Sequence, residues 1–144
     1  MKIQAETLAP PPEQKPVKFE IELPAGIIGF PEHKRGEIFH LPDQLPFQWF
    51  RLNGPTLLHF VVIEATSFVP DYTPELYDED AATIGIRQAD DALVLNIVTV
   101  ADDQSATANL VGPVIINRHT GTARQVVIAN HSQYEARHPL VTPS

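Results

Sequence analysis

Several residue types in this chain could do chemistry, but their spacing argues against it. Six histidines are the obvious metal candidates. His33 and His40 stand seven positions apart, as do His131 and His138, and no two form the i, i+4 pair by which a helix holds zinc. His59 interrupts an apolar run and reads as a satisfied or edge-facing strand residue. With no cysteine, a disulfide, a thiolate zinc site and a thiol nucleophile are all excluded. A calcium loop starting at Asp78 would have Asp80 at its third position. It would then carry Ala82 at the fifth and Thr83 where the sharp turn needs glycine. Ser67, Ser105 and Ser132 lack the Gly-x-Ser-x-Gly elbow of a hydrolase nucleophile. Gly26 and Gly29 sit among apolar residues and are too few to cradle a phosphate. Two carboxylates could meet across a strand pair, but nothing selects one pair from eighteen acids. The expectation is a protein with no cofactor, no metal and no catalysis.

Charge is more informative. The net charge is −8, and its source is local. From Glu64 to Asp103 ten acids face the single base Arg87, a balance of −9. Such a field repels phosphate backbones, so direct nucleic-acid binding is not expected. It attracts basic protein surfaces and speeds encounter with them. The blander reading, which composition alone favours, is that the same acidity only keeps a small protein soluble. No apolar stretch approaches the ~18–20 residues needed to span a bilayer, and Met1 to Lys18 is polar and proline-broken rather than signal-like. No membrane association is expected, and a cytoplasmic location is.

The elements that would position any site are mostly strands. Ala92 to Val100 is apolar except at Asn96 and Thr99 and rich in β-branched residues, which predicts a strand buried on both faces. Thr107 to Asn117 and Ala123 to Ala129 follow, the latter two runs forming a hairpin around Gly121. These three strands are the expected core. Val17 to Leu23 alternates strictly, with Val17, Phe19, Ile21 and Leu23 inward. Glu37–Leu41, Phe47–Leu52 and Leu57–Glu64 are further strands, the last two joined by Asn53-Gly54. Trp49 is expected in the core or half-buried. Between Glu75 and Ile86, acids at 78–80 and Gly85 beyond predict one short helix, and Gln133 to Arg137 is a candidate for one more helical turn. Pro10 to Pro12 and Pro16 make the start an exposed arm or loop, or else a proline-motif ligand. A chain of this length can bury roughly 68–70% of its unfolded surface as one domain.

Five motifs then occur in order. They are Gly26-Ile27-Ile28-Gly29-Phe30, Phe68-Val69-Pro70-Asp71-Tyr72, the Val94–Val100 run, the Thr107–Asn117 run with Gly112-Pro113, and Tyr134-Glu135-Ala136-Arg137-His138-Pro139-Leu140. Together they resemble the flagellar assembly factor FliW family from about Val17 to Val141. The proline-rich Ala9 to Pro16 departs from the short turn expected between that family's first two strands, which leaves the pairing of Lys2 to Leu8 open. The resemblance implies an all-β, mainly antiparallel, compact barrel-like single domain with one or two short helices. Residues 1–16 would be an N-terminal strand and proline-rich loop, and 17–144 the FliW-like barrel. It implies a non-enzymatic role: binding the translational repressor CsrA, a basic RNA-binding dimer, allosterically relieving its repression of flagellin mRNA, and binding flagellin. Free flagellin would then draw the factor from CsrA. A monomer is expected when the chain is free.

Two surfaces follow from the residues. The acidic stretch Asp71, Glu75, Asp78, Glu79 and Asp80, with Tyr72, Leu76 and Tyr77 as apolar anchors, would dock CsrA. Alternatively those acids only cap and solvate a helix. Ile27, Ile28 and Phe30 would offer apolar surface to a flagellin helix, or would close the barrel's end. The rival readings are an enzyme with a deep polar pocket, a small-ligand-binding β-barrel with an apolar cavity, and a self-associating structural subunit.

Overall fold

A computed structural model describes residues 17–140 apart from 41, 42, 44, 68 and 104. The expectations for residues 1–16, including the pairing of Lys2 to Leu8, lie outside the described residues. The fold is mostly antiparallel sheet. Four strands run up and down: β1 (Val17–Glu22), β2 (Arg35–His40), β3 (Gln48–Asn53) and β4 (Leu58–Ile63). Next come α1 (Asp78–Thr83), then β5 (Ala92–Val100), β6 (Ala106–Ala108), β7 (Val114–Asn117), β8 (Ala123–Gln125) and β9 (His138–Pro139). Short 3-10 turns occupy Ala65–Ser67, Ala89–Asp91 and His131–Gln133, the last of them overlapping the C-terminal turn expected from Gln133.

β5 is the hub, with the bounds the sequence predicts. One of its edges pairs β4 through Asn96–Val98; the other takes β7 along Ala92–Leu95 and β6 along Val98–Val100. Period-two alternation gives β5 two inward faces. Leu93, Leu95 and Ile97 pack in a core with Ile21, Leu23, Ile38, Phe50, Leu52 and Val62, inside the curl of β1–β4. Ala92, Val94 and Val98 face a second core with Ile63, Tyr72, Ile84, Leu110 and Ile128. A nearly continuous apolar run is therefore what this position demands.

The sheet curls without closing. Its far ends meet at a single parallel bridge, Glu22 to Thr122, with the Glu22 N–H donating to the Gly121 carbonyl at 2.9 Å. "Barrel-like" is thus accurate for the curvature and loose for the hydrogen bonding.

The expected Thr107–Asn117 strand is split in two. Val98 faces Ala108 and Leu95 faces Val114, so three steps along β5 are matched by six along the returning chain. Asn109 to Pro113 form the resulting bulge, as Gly112-Pro113 would favour. Trp49 lies on the outer face of β3 and is about one-third exposed.

Leu95 is fully buried at the middle of the hub strand, so Leu95→Ala should lower unfolding free energy by about 2–5 kcal/mol, read from urea denaturation.

Candidate functional site

The bulge determines where the site lies. A bulge removes strand partners, and its buried carbonyls must be met some other way. Asn96, fully buried on β5, donates its Nδ2–H to the Asn109 carbonyl at 2.9 Å and to the Tyr72 hydroxyl at 3.0 Å. Tyr72 in turn donates its O–H to the Leu110 carbonyl at 2.8 Å. The remaining acceptor of Asn96, Oδ1, takes the Ala65 N–H at 3.3 Å. Two carbonyls of the bulge are thereby satisfied by side chains, and the segment after β4 is fastened over the sheet.

That segment is held at its other end as well. Tyr134 packs edge-on to Tyr72 with ring centroids 4.9 Å apart. Its hydroxyl donates to the Asp71 carbonyl at 2.8 Å and accepts the Thr73 N–H at 2.9 Å. Asn130 accepts the Glu75 N–H and donates to the Thr73 carbonyl, both at 2.9 Å. Asp71 has a φ of +65°, a conformation that aspartate tolerates better than most residues. Opposite stands α1, ending in Gly85 at φ +74°. Asn117 Nδ2 donates to the Ile84 and Gly85 carbonyls at 2.9 and 3.3 Å, pinning this helix end to β7.

Between the 66–74 segment and α1 with residues 85–89 lies an open groove of about 1270 Å3. Ala92, Val94 and Ile115 line its sheet side, Val69, Leu76 and Ile86 add apolar walls, and Asp71, Asp78 and Arg87 line it with charge. The two walls are held by different anchors, so the trough between them is not filled. Among the described residues, no group of three or more His, Asp or Glu side chains could hold a metal ion.

The sequence-predicted residues divide unevenly. Asp71, Leu76 and Asp78 line the groove, while Glu75, Tyr77 and Glu79 are exposed nearby in the chain, Tyr77 at 50%. Tyr72 is corrected from surface anchor to core: it is 4% exposed because its hydroxyl serves the bulge. Burial is the main cause that pushes its hydroxyl pKa up to about 12; Tyr134 adds to the rise, and the Asn96 hydrogen bond opposes it. Asp80 is half-buried and forms an ion pair with Arg124 at 3.3 Å, tying α1 to β8, so it is not a free rim charge. In the other group, Ile27 is corrected likewise. It is 4% exposed and packs in the core within the curl, whereas Ile28 at 62% and Phe30 at 38% face outward. The tip therefore both plugs the curl and presents apolar surface.

Sequence reasoning missed Asn96, Asn117, Asn130 and Tyr134 as builders of this site. The available signal was an asparagine inside an apolar strand, which needs a buried partner. Asp91, after the groove's second wall, was noted only as charge. Its carboxylate accepts the Arg87 and Gln88 N–H groups at 3.0 and 3.1 Å and pairs with His119 at 3.0 Å. These bonds, the Arg87 N–H first, hold its pKa below the usual value against some desolvation.

The family model described as FliW protein matches residues 6–140. The flagellar assembly factor FliW of Natranaerobius thermophilus is 38% identical over 122 residues, covering 83% of this chain and 80% of the relative. That of Leptospira interrogans serovar copenhageni is 32% identical over 114 residues, covering 78% and 76%. A crystal structure of the flagellar assembly factor FliW superposes with a TM-score of 0.76 at 32% identity, covering 86% of each chain.

Two outcomes test the site's construction. Asn96→Ala leaves the Ala65 N–H and the Asn109 carbonyl without partners and should cost about 1–3 kcal/mol for each group left buried and unpaired, read by urea unfolding. Asp91 has a folded pKa below its unfolded one, so its stabilisation is complete above about pH 4 and is lost as pH falls through the folded value. The thermal midpoint of the wild type should exceed that of Asp91→Asn near neutrality, and the gap should close on acidification.

Proposed function

The chain belongs to the FliW family of flagellar assembly factors, and from that premise we propose that it acts by occupying two other proteins, CsrA and flagellin, rather than by catalysis. Binding CsrA would relieve repression of flagellin translation, and flagellin would compete for the factor, so that synthesis follows assembly.

One observation carries the CsrA assignment: an open groove with apolar walls lies within the stretch that holds the chain's excess negative charge. Apolar anchors within a charged rim are where interface energy concentrates. The trough also exceeds the ~300–1,000 Å3 of a small-molecule site and is open along its length, which suits a protein segment better than a metabolite. Asp71, Asp78 and Glu79 supply the attraction; Leu76 with Val69 and Ile86 supplies the apolar contact. The assignment of flagellin rests on Ile28 and Phe30, which stay exposed at the tip although their neighbour Ile27 is buried.

Each surface has its own experiment. Reversing Asp78 and Glu79 to Lys, with Asp80 left to hold Arg124, should slow CsrA association about tenfold or more at low ionic strength. An unchanged on-rate in a folded variant would move the docking site elsewhere. Ile28→Asp should keep the melting temperature and abolish flagellin binding; unfolding of this variant would assign Ile28 to the plug instead.

A further inference from the structure

The loop between β3 and β4 carries chemistry outside both proposed docking surfaces. It opens at Gly54, directly after Asn53 at the end of β3, and both residues are exposed. An asparagine followed by glycine is open to attack on its own side chain, because glycine offers the backbone nitrogen no steric protection. Whether a folded protein permits the attack depends on how the carboxamide and that nitrogen are held.

In this chain the five asparagines differ sharply. Asn96, Asn117 and Asn130 are buried, and Asn109 is half-buried. Each of these four has its carboxamide bonded: Asn96 to Tyr72 and Asn109, Asn109 to the Val111 and Gly112 N–H groups, Asn117 to the Ile84 carbonyl, and Asn130 to Thr73 and Glu75. None of the four precedes a glycine. Asn53 has no side-chain hydrogen bond among the described residues, and the N–H of Gly54 has none either. It sits on the last position of β3, opposite Arg35, where the ladder ends.

What lies beneath gives the site a consequence. Gly54 rests on the ring of His33, so closely that a Cβ added there would come within 2.6 Å of it. His33 is buried, shares a 2.8 Å hydrogen bond with the Thr56 carbonyl through Nε2, and stands edge-on to Phe30 with centroids 5.7 Å apart. The loop is therefore seated on His33 at two points, the close approach of Gly54 to the ring and the hydrogen bond at Thr56.

We propose that Asn53-Gly54 is a self-modification site, at which slow conversion of Asn53 to isoaspartate lifts Gly54 off His33. The Gly54 amide nitrogen, having lost its proton to solvent base, attacks Cγ of Asn53. A new C–N bond closes the succinimide, the Cγ–Nδ2 bond breaks, and ammonia leaves with the proton it needs. Water then opens the ring at one of its two carbonyls. One opening gives aspartate with the backbone unchanged. The other gives isoaspartate, whose chain path runs through the side chain and is one methylene longer. That added length falls next to the His33 contact.

The test incubates the purified full chain at mildly alkaline pH and follows it by peptide mapping and isoaspartyl methyltransferase labelling, with His33 ring signals recorded by NMR. Asn53→Gln and Asn53→Asp are incubated beside it. The expected result is loss of the Asn53 amide ahead of the other four asparagines, isoaspartate label on that peptide, and displaced His33 signals in the aged wild type. Asn53→Gln should lack the label and keep the unaged His33 signals, and Asn53→Asp, whose carboxylate closes the same succinimide far less readily at this pH, should gain the label and shift those signals much more slowly than the wild type. Earlier loss at another asparagine, or none at Asn53, overturns the site. Labelled Asn53 with His33 signals unmoved overturns the displacement.

Discussion

The bulge from Asn109 to Pro113 is the constraint from which the rest of the architecture follows. A strand buried on both faces admits few polar groups, yet its partner here carries an excess of backbone that cannot pair with it. Each buried carbonyl so stranded would cost free energy unless met. Asn96 meets one, Tyr72 the next, and the Asn109 side chain accepts the Val111 and Gly112 N–H groups at 3.1 and 2.9 Å. The rest of the turn is served from further along the chain: the Ile128 N–H donates to the Val111 carbonyl, and Gln125 Nε2 to that of Gly112. Tyr72 can reach its carbonyl only if the segment after β4 crosses the sheet at this point. The groove wall is thus a by-product of satisfying the bulge.

How much of this was legible in the sequence follows from the range of the forces involved. β1 and β5 were legible because alternation and a continuous apolar run are local consequences of facing one core or two. The short helix was legible too, through its first-turn acids and Gly85. The break between β6 and β7 was not, since Thr107 to Asn117 reads as one apolar run and only its pairing with β5 exposes the mismatch. Tyr72 was misjudged for a related reason. Among Asp71, Thr73 and Glu75 it looks like a surface aromatic, and only its partners 24 and 38 residues away draw it inside. Asp80 likewise resembles Asp78 until Arg124 arrives from β8. The tip was half legible: glycines and large apolar residues indicated a turn, but not that Ile27 and Ile28 would point opposite ways.

The proposed groove combines two terms that act differently. In the proposed complex its carboxylates would act at distance and set the rate of encounter, whereas Val69, Leu76 and Ile86 would act only on contact and set how long the complex lasts. Because the walls are pinned by Asn96, Tyr134, Asn130 and Asn117, little ordering is left to be done on binding. Pre-organisation of that kind lowers the entropic cost of association. The apolar tip is held by other contacts: Phe30 packs edge-on against His33 and Phe60, and the Ile28 N–H donates to Gln125 Oε1 on β8 at 2.9 Å.

The most direct measurement of the central claim is backbone amide exchange on the free chain and on the chain saturated with CsrA. The account predicts new protection concentrated at residues 69–78 and 85–89, the two groove walls, with the outer face of β1–β3 unchanged. Protection confined to that outer face, with both walls exchanging as in the free chain, would contradict it.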